Sequence, residues 1–83
     1  MLRIYVADDC PGSRATPHII EILRHQMPDL PIEIVNLSKS NVQFPPFVFG
    51  TPVYTWNDRV LFLGNPGKQE LLACVRGLYE QNL

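Results

Sequence analysis

The residue with the clearest chemical potential is Cys10, which opens the motif Cys10-Pro11-Gly12-Ser13. An apolar run precedes this motif and an amphipathic run follows it, so the sequence predicts a turn between a strand and a helix. The first N–H groups of a helix lack partners and carry partial positive charge, which favours a thiolate over a thiol. Cys10 is therefore a candidate nucleophile, and the Ser13 hydroxyl is expected to favour its thiolate form.

Neighbouring residues have opposite effects on this thiol. Ser13 and Arg14 favour the thiolate, whereas Asp8 and Asp9 oppose it, because nearby negative charge raises the pKa of a thiol. The motif contains no second cysteine, so a mixed disulfide on Cys10 would need an external thiol such as glutathione to resolve it. The alternative is that Cys10 only caps the helix of a site without activity. The residues by themselves leave both interpretations open.

Other potential ligands and nucleophiles have simpler explanations. Cys74 borders the apolar stripe of a helix, where a free cysteine behaves as a small hydrophobic residue. His18 and His25 share a helix face but lie about 10 Å apart by helical rise. Because Cys10 completes no ligand set with them, no metal site is predicted. Two cysteines are also too few for a secreted disulfide framework.

Length and composition indicate one globular domain over residues 1–83, since hydrophobic residues make up 46% and charged residues 18% of the chain. A net charge of -1 with no basic stripe argues against a nucleic-acid partner. No apolar run approaches the roughly 20 residues of a membrane helix, and Met1 leads into a strand without a leader pattern. We therefore expect a cytoplasmic protein.

Hydrophobic spacing predicts a strand, a helix and a strand in the first half of the chain. Residues 2–7 are nearly continuous in apolarity, as in a central strand, and residues 31–36 form the second strand. Between them, residues 15–27 have one-sided helical periodicity. Either Cys10, followed by proline, or Ser13 could cap this helix. This strand–helix–strand unit predicts two parallel strands joined by a right-handed crossover.

The second half predicts a hairpin. Strands at residues 51–56 and 59–63 flank Asn57-Asp58, two residues that tolerate the positive φ of a tight turn. Regular alternation would place Phe62 on the same sheet face as Val53.

A final helix is predicted at residues 67–81. Asn65 is its expected cap, with Pro66 at the first helical position. The stretch from Asn65 to Lys68 could alternatively bind an anion, such as a glutathione carboxylate.

The order β-α-β-β-β-α predicts an α/β (α+β) fold with a mixed four-stranded sheet in which the first strand lies beside the third. The chain resembles the thioredoxin-like superfamily in its minimal form. The resemblance lies in Cys10-Pro11-Gly12-Ser13 after the first strand, in Thr51-Pro52 at the third, and in the turn at residues 64–68 before the last helix. It covers nearly the whole chain in element order, with the superfamily's second helix reduced or absent.

Two branches of this superfamily are similar to the chain. Monothiol glutaredoxins carry a single cysteine followed by two residues and a serine, which implies thiol–disulfide exchange at Cys10 with glutathione or a protein disulfide. KaiB-like proteins have a strand ending like Tyr5-Val6-Ala7 and then a turn with proline and serine, which implies a non-catalytic module that binds a protein partner. The chain departs from the first pattern at Asp8 and Asp9, and from the second at Cys10.

The resemblance further implies a cis peptide bond at Thr51-Pro52, with the Thr51 backbone facing the Cys10 turn. An extended peptide or glutathione would pair with that backbone as an added strand. Cys10 and Ser13 would then be the catalytic residues. The implied substrate-binding residues are Pro11, Gly12, Arg14, Thr51, Pro52, Asn65 and Lys68.

The segment from Phe44 to Phe49 is strongly apolar and contains two adjacent prolines, which exclude a long helix. Either it folds over the sheet face that no helix covers, or it leaves apolar surface for a homodimer or another partner.

Overall fold

A computed structural model of the protein describes residues 1–39, 43–46, 48 and 50–81. The elements are β1 (Leu2–Val6), α1 (Pro11–Gln26), β2 (Ile32–Asn36), β3 (Val53–Trp56), β4 (Arg59–Leu63) and α2 (Lys68–Gln81). This order confirms the β-α-β-β-β-α prediction. The described residues between β2 and β3 contain no helix, and residues 40–42 lie outside the described ranges.

The four strands form one mixed sheet in the order β2-β1-β3-β4. β1 is parallel to β2 and antiparallel to β3, and β3 is antiparallel to β4. A parallel pair needs a long crossover, which α1 supplies. The mixed sheet with β1 beside β3 is therefore as predicted, and its antiparallel register places the start of β3 beside the end of β1, with Val53 opposite Tyr5.

Both helices pack on one face of this sheet. Leu2 and Ile4 of β1 are fully buried there with Tyr54 of β3, because alternate residues of a strand point to the same side. The buried residues of α1 are Ser13, Thr16, Ile19, Ile20 and Leu23. Two of these five carry hydroxyls, so the helix start is fixed by hydrogen bonds as well as by apolar packing.

The loop before β3 covers the opposite face. Val48 is only 3% exposed and packs with Tyr5 and Val53 in a second, smaller core. The expectation that this segment folds over the sheet is thus met at Val48. Phe44 remains 48% exposed. The phenylalanines at positions 47 and 49 lie outside the described residues.

The hairpin differs from the sequence prediction at one position. Asn57 and Asp58 have φ values of 48° and 68°, as the predicted two-residue turn requires. A bulge follows, so that Tyr54 rather than Val53 shares a face with Phe62. The rings of Tyr54 and Phe62 meet edge to face, with centroids 6.3 Å apart. The prediction that Phe62 lies on the face of Val53 is wrong, because an extra residue breaks the alternation.

Within the described ranges, neither α1 nor α2 has the length and apolarity needed to cross a bilayer.

We expect Val48→Ala to lower the free energy of unfolding by about 2 kcal/mol, because two buried methyl groups are lost and a cavity remains. Leu63→Ala is the matched control, since Leu63 is 67% exposed and its truncation should cost about 0.5 kcal/mol or less. Urea unfolding of both variants measures the difference. Equal losses in the two variants would mean that Val48 does not cover the sheet.

Candidate functional site

The start of α1 is built on Cys10. Cys10 is the N-cap with an extended backbone, and Pro11 occupies the first turn, where its fixed φ suits a helix and its missing N–H does no harm. Ser13, the alternative cap, instead accepts a hydrogen bond through its hydroxyl from the backbone N–H of Ala7 at 3.1 Å. This bond ties the end of β1 to the first turn of α1, so the helix start is set by Cys10 and braced by Ser13.

Thr51 and Pro52 lie opposite Cys10 across the candidate site. The Thr51–Pro52 peptide bond is cis, which confirms that prediction. The thiol of Cys10 donates a hydrogen bond to the backbone oxygen of Thr51, with 3.2 Å between sulfur and oxygen. Segments 41 residues apart in sequence therefore meet at the sulfur. The Thr51 backbone faces the Cys10 turn in the arrangement that the resemblance implied.

Gly12 allows this close approach. A Cβ atom at position 12 would lie 3.1 Å from Cδ of Pro52 and 3.8 Å from Sγ of Cys10. The first distance is shorter than ordinary van der Waals contact, so a side chain there would push the helix start away from Pro52. Pro52 is itself buried. The absence of a side chain at Gly12 thus lets the start of α1 lie close to Pro52.

Hydrogen bonds to the sulfur lower the pKa of the Cys10 thiol from 9.0 to about 7. The largest cause is the Ser13 side chain, followed by the Thr51 side chain and by the backbone N–H of Ser13. Partial burial works in the opposite direction. The bond that the thiol donates to the Thr51 carbonyl also favours the protonated form, so the lowered pKa is the balance in which the donors prevail. Asp8 and Asp9, from which the sequence predicts opposition, are not among the leading causes of the shift in pKa.

Asn65 does not cap α2. The helix begins at Lys68, and the N–H of Leu71 bonds to the carbonyl of Gly67, which occupies the capping position. The Asn65 side chain instead reaches α1, where Nδ2 donates to the backbone oxygen of Gly12 at 2.6 Å. The prediction of a cap at Asn65 is wrong, because partners distant in sequence hold the amide.

Thr16 and Tyr54 belong to the same network and were missed by sequence reasoning. Each hydroxyl donates to Oδ1 of Asn65 at 2.9 Å, and both residues are fully buried. Burial raises the pKa of the Tyr54 hydroxyl above its usual value. The available signal was Thr16 on the inner face of a helix, since a buried hydroxyl requires a partner.

The two predicted cationic residues, Arg14 and Lys68, are both exposed. Arg14 is exposed and lines a cavity of about 220 Å³ with Asp8, Ser13 and Asn36. Asn36 Nδ2 donates to the Asp8 carboxylate at 2.7 Å across this cavity. Lys68 is exposed at the first position of α2. The assignment of Arg14 and Lys68 to substrate binding stays a prediction.

Cys74 lies partly buried in α2, and both it and Cys10 are free thiols. In the part of the chain that the structure describes, no three His, Cys, Asp or Glu side chains are grouped as metal ligands.

No family model matches the chain, and no curated protein is significantly similar to it.

We expect Cys10 to react with iodoacetamide at a rate that rises with pH and is half-maximal near pH 7, following its lowered pKa. A Cys74→Ser background ensures that only Cys10 reports. Ser13→Ala should move the midpoint upward, because it removes the largest cause of the lowered pKa. A midpoint near 9.0, the ordinary value for a thiol, would contradict this environment.

The same pKa predicts a pH dependence of stability. Between about pH 7 and 9.0 the folded chain holds a thiolate while the unfolded chain holds a thiol, so the unfolded state binds more protons. Stability from this group therefore rises across that window and is lost as pH falls through 7. Urea unfolding of the chain and of Cys10→Ser over this range isolates the contribution, and parallel curves would exclude it.

We expect Gly12→Ala and Gly77→Ala to differ in stability. Gly77 lies exposed within α2 with open space around a Cβ, so alanine there should add about 0.5–1 kcal/mol to the free energy of unfolding. At Gly12 the contact with Pro52 should cancel this gain and slow alkylation of Cys10. Urea unfolding and alkylation rates measure both effects. A full gain at both positions would show that the Gly12–Pro52 contact imposes no constraint.

Proposed function

We propose that the chain is a thioredoxin-like domain that performs thiol–disulfide exchange through a single cysteine, Cys10. The observation that carries the proposal is the Cys10 sulfur at the start of α1, 3.2 Å from the Thr51 oxygen beside the cis peptide bond. The element order and the mixed sheet support the superfamily assignment. The pKa of about 7 gives a substantial thiolate fraction at neutral pH.

The reaction would proceed in two balanced steps. The Cys10 thiolate attacks one sulfur of a disulfide, a new S–S bond forms, and the other sulfur leaves as a thiolate. An external thiolate then attacks the mixed disulfide, forms a disulfide with the departing group, and releases Cys10 as a thiolate. Ser13 occupies the motif position where a second cysteine would resolve the first step internally. Glutathione is therefore the expected co-substrate, and no bound cofactor is needed.

The geometry also suggests how a substrate would bind. The Thr51 backbone is adjacent to the sulfur, so an extended peptide or glutathione that pairs with it would bring its own sulfur toward Cys10. The exposed side chains of Arg14 and Lys68 would supply positive charge for a glutathione carboxylate. We infer a cytoplasmic location, because this chemistry depends on a supply of reduced thiol.

A protein-binding module without catalysis is the second candidate. It is favoured by the face opposite the helices, where Phe44 is 48% exposed and borders a cavity of about 350 Å³ with Arg3, Tyr5 and Glu33. A partner or a second copy of the chain would bury this apolar surface. Self-association through the segment from Phe44 to Phe49 stays a prediction, for which sedimentation at high concentration is the measurement.

We expect the chain to form a mixed disulfide with glutathione at Cys10 when it is incubated with oxidised glutathione. Intact-mass measurement should show one glutathione adduct on the Cys74→Ser variant, and reduced glutathione should remove it. The variant carrying both Cys10→Ser and Cys74→Ser is the control and should carry none.

An adduct that forms no faster than on an unfolded cysteine peptide would overturn the redox proposal. In that case the Cys10→Ser variant would still bind a protein partner, as expected of a binding module without catalysis. A folded chain in which only Cys74 accepts glutathione would also contradict the assignment of Cys10.

A further inference from the structure

Asn65 connects three parts of the chain by its side-chain amide. Its Nδ2 donates to the Gly12 oxygen at 2.6 Å, while Oδ1 accepts from both Thr16 and Tyr54 at 2.9 Å. The Gly12 carbonyl fixes which atom is which, because it can only accept a hydrogen bond and a rotated amide would set the side-chain oxygen against it. The amide is thus held in one orientation toward the first turn of α1.

The atom that receives the Asn65 hydrogen bond is chemically connected to the environment of Cys10. The Gly12 carbonyl and the Ser13 N–H belong to the same peptide group. A hydrogen bond accepted by the carbonyl polarises that group and makes its N–H a stronger donor. The Ser13 N–H bonds to the Cys10 oxygen at 3.0 Å and is one of the groups that stabilise negative charge on the sulfur.

We propose that Asn65 is a positioning residue for Cys10, which holds and polarises the Gly12–Ser13 peptide group beside the sulfur. Thr16 and Tyr54 hold the amide in turn, so the chain of contacts runs from β3 through Asn65 to the helix start. The inference rests on the proposed function, because it concerns the reactivity of the same cysteine. It adds a role for a residue of the loop before α2 that acts through the Gly12–Ser13 peptide group, while the predicted contact of Asn65 with substrate stays a prediction.

The packing around Gly12 supports this role. A Cβ at Gly12 would lie 4.0 Å from Nδ2 of Asn65 and 3.1 Å from Pro52, so the peptide group is confined between the amide and the cis proline. Loss of the amide removes one of these two supports. The helix start is then free to move relative to Thr51, and the Ser13 N–H becomes a weaker donor.

The test compares Asn65→Ala, Thr16→Val and Val48→Ala, each in the Cys74→Ser background. Alkylation of Cys10 is followed against pH, and urea unfolding is measured in parallel. Asn65→Ala should raise the midpoint pH by about half a unit or more, which is about threefold less thiolate below the midpoint. Thr16→Val removes one hydroxyl that holds the amide and should move the midpoint in the same direction by less.

Val48→Ala is the control for stability, because Val48 packs on the opposite face of the sheet. It should lower the urea midpoint and leave the alkylation profile unchanged. A backbone ¹⁵N shift of the Ser13 amide gives a second readout, which Asn65→Ala and Thr16→Val should change and Val48→Ala should not.

An unchanged alkylation profile in Asn65→Ala would overturn the proposal and leave Asn65 a purely structural residue. If Asn65→Ala does not fold, Thr16→Val decides, and a profile like that of Cys74→Ser alone overturns it. These outcomes differ from failure of the proposed function, since alkylation requires no disulfide substrate. A shifted midpoint without any glutathione adduct would support the role of Asn65 and reject the exchange reaction.

Discussion

The arrangement around Cys10 depends on one side-chain amide at the junction of α1, β3 and the loop before α2. Strand pairing fixes the sheet, and apolar packing fixes which face of α1 is buried, but neither determines where the first turn of α1 sits along β3. Asn65 supplies that constraint through Gly12, Thr16 and Tyr54. Because Thr16 and Tyr54 are fully buried, water does not compete for their bonds, and the network is correspondingly specific.

Much of the fold followed from local patterns in the sequence. Strand order and direction could be predicted because a strand–helix–strand unit of this length forms a parallel pair, and because Asn57-Asp58 closes a tight hairpin. Cys10 followed by Pro11 was an acceptable helix start, and the structure uses it. The proximity of Cys10 to Thr51 could not be predicted from spacing. Only the resemblance to thioredoxin-like proteins indicated it.

The errors arose where a distant partner or an irregularity overrides a local preference. Asn65 followed by Pro66 has the pattern of a helix cap. The Asn65 amide instead donates a hydrogen bond to the Gly12 carbonyl, 53 residues away. Phe62 is placed by a bulge that no turn signal in the sequence marks. Tyr54 reads as an ordinary strand residue, and its hydroxyl gains a role only when the loop before α2 is in place.

The acidic pair beside Cys10 shows why formal charge is a weaker guide than hydrogen bonding at this site. Asp8 and Asp9 are exposed, and such charges act through water and salt, which screen them. The Asp8 carboxylate accepts a hydrogen bond from the Asn36 side chain at the end of β2, and the backbone N–H of Asp8 donates to the Ser38 hydroxyl. Ser13 and Thr51, by contrast, act at contact distance on the sulfur. Asp8 therefore links the ends of two parallel strands, and the state of the thiol is set by its hydrogen-bond donors.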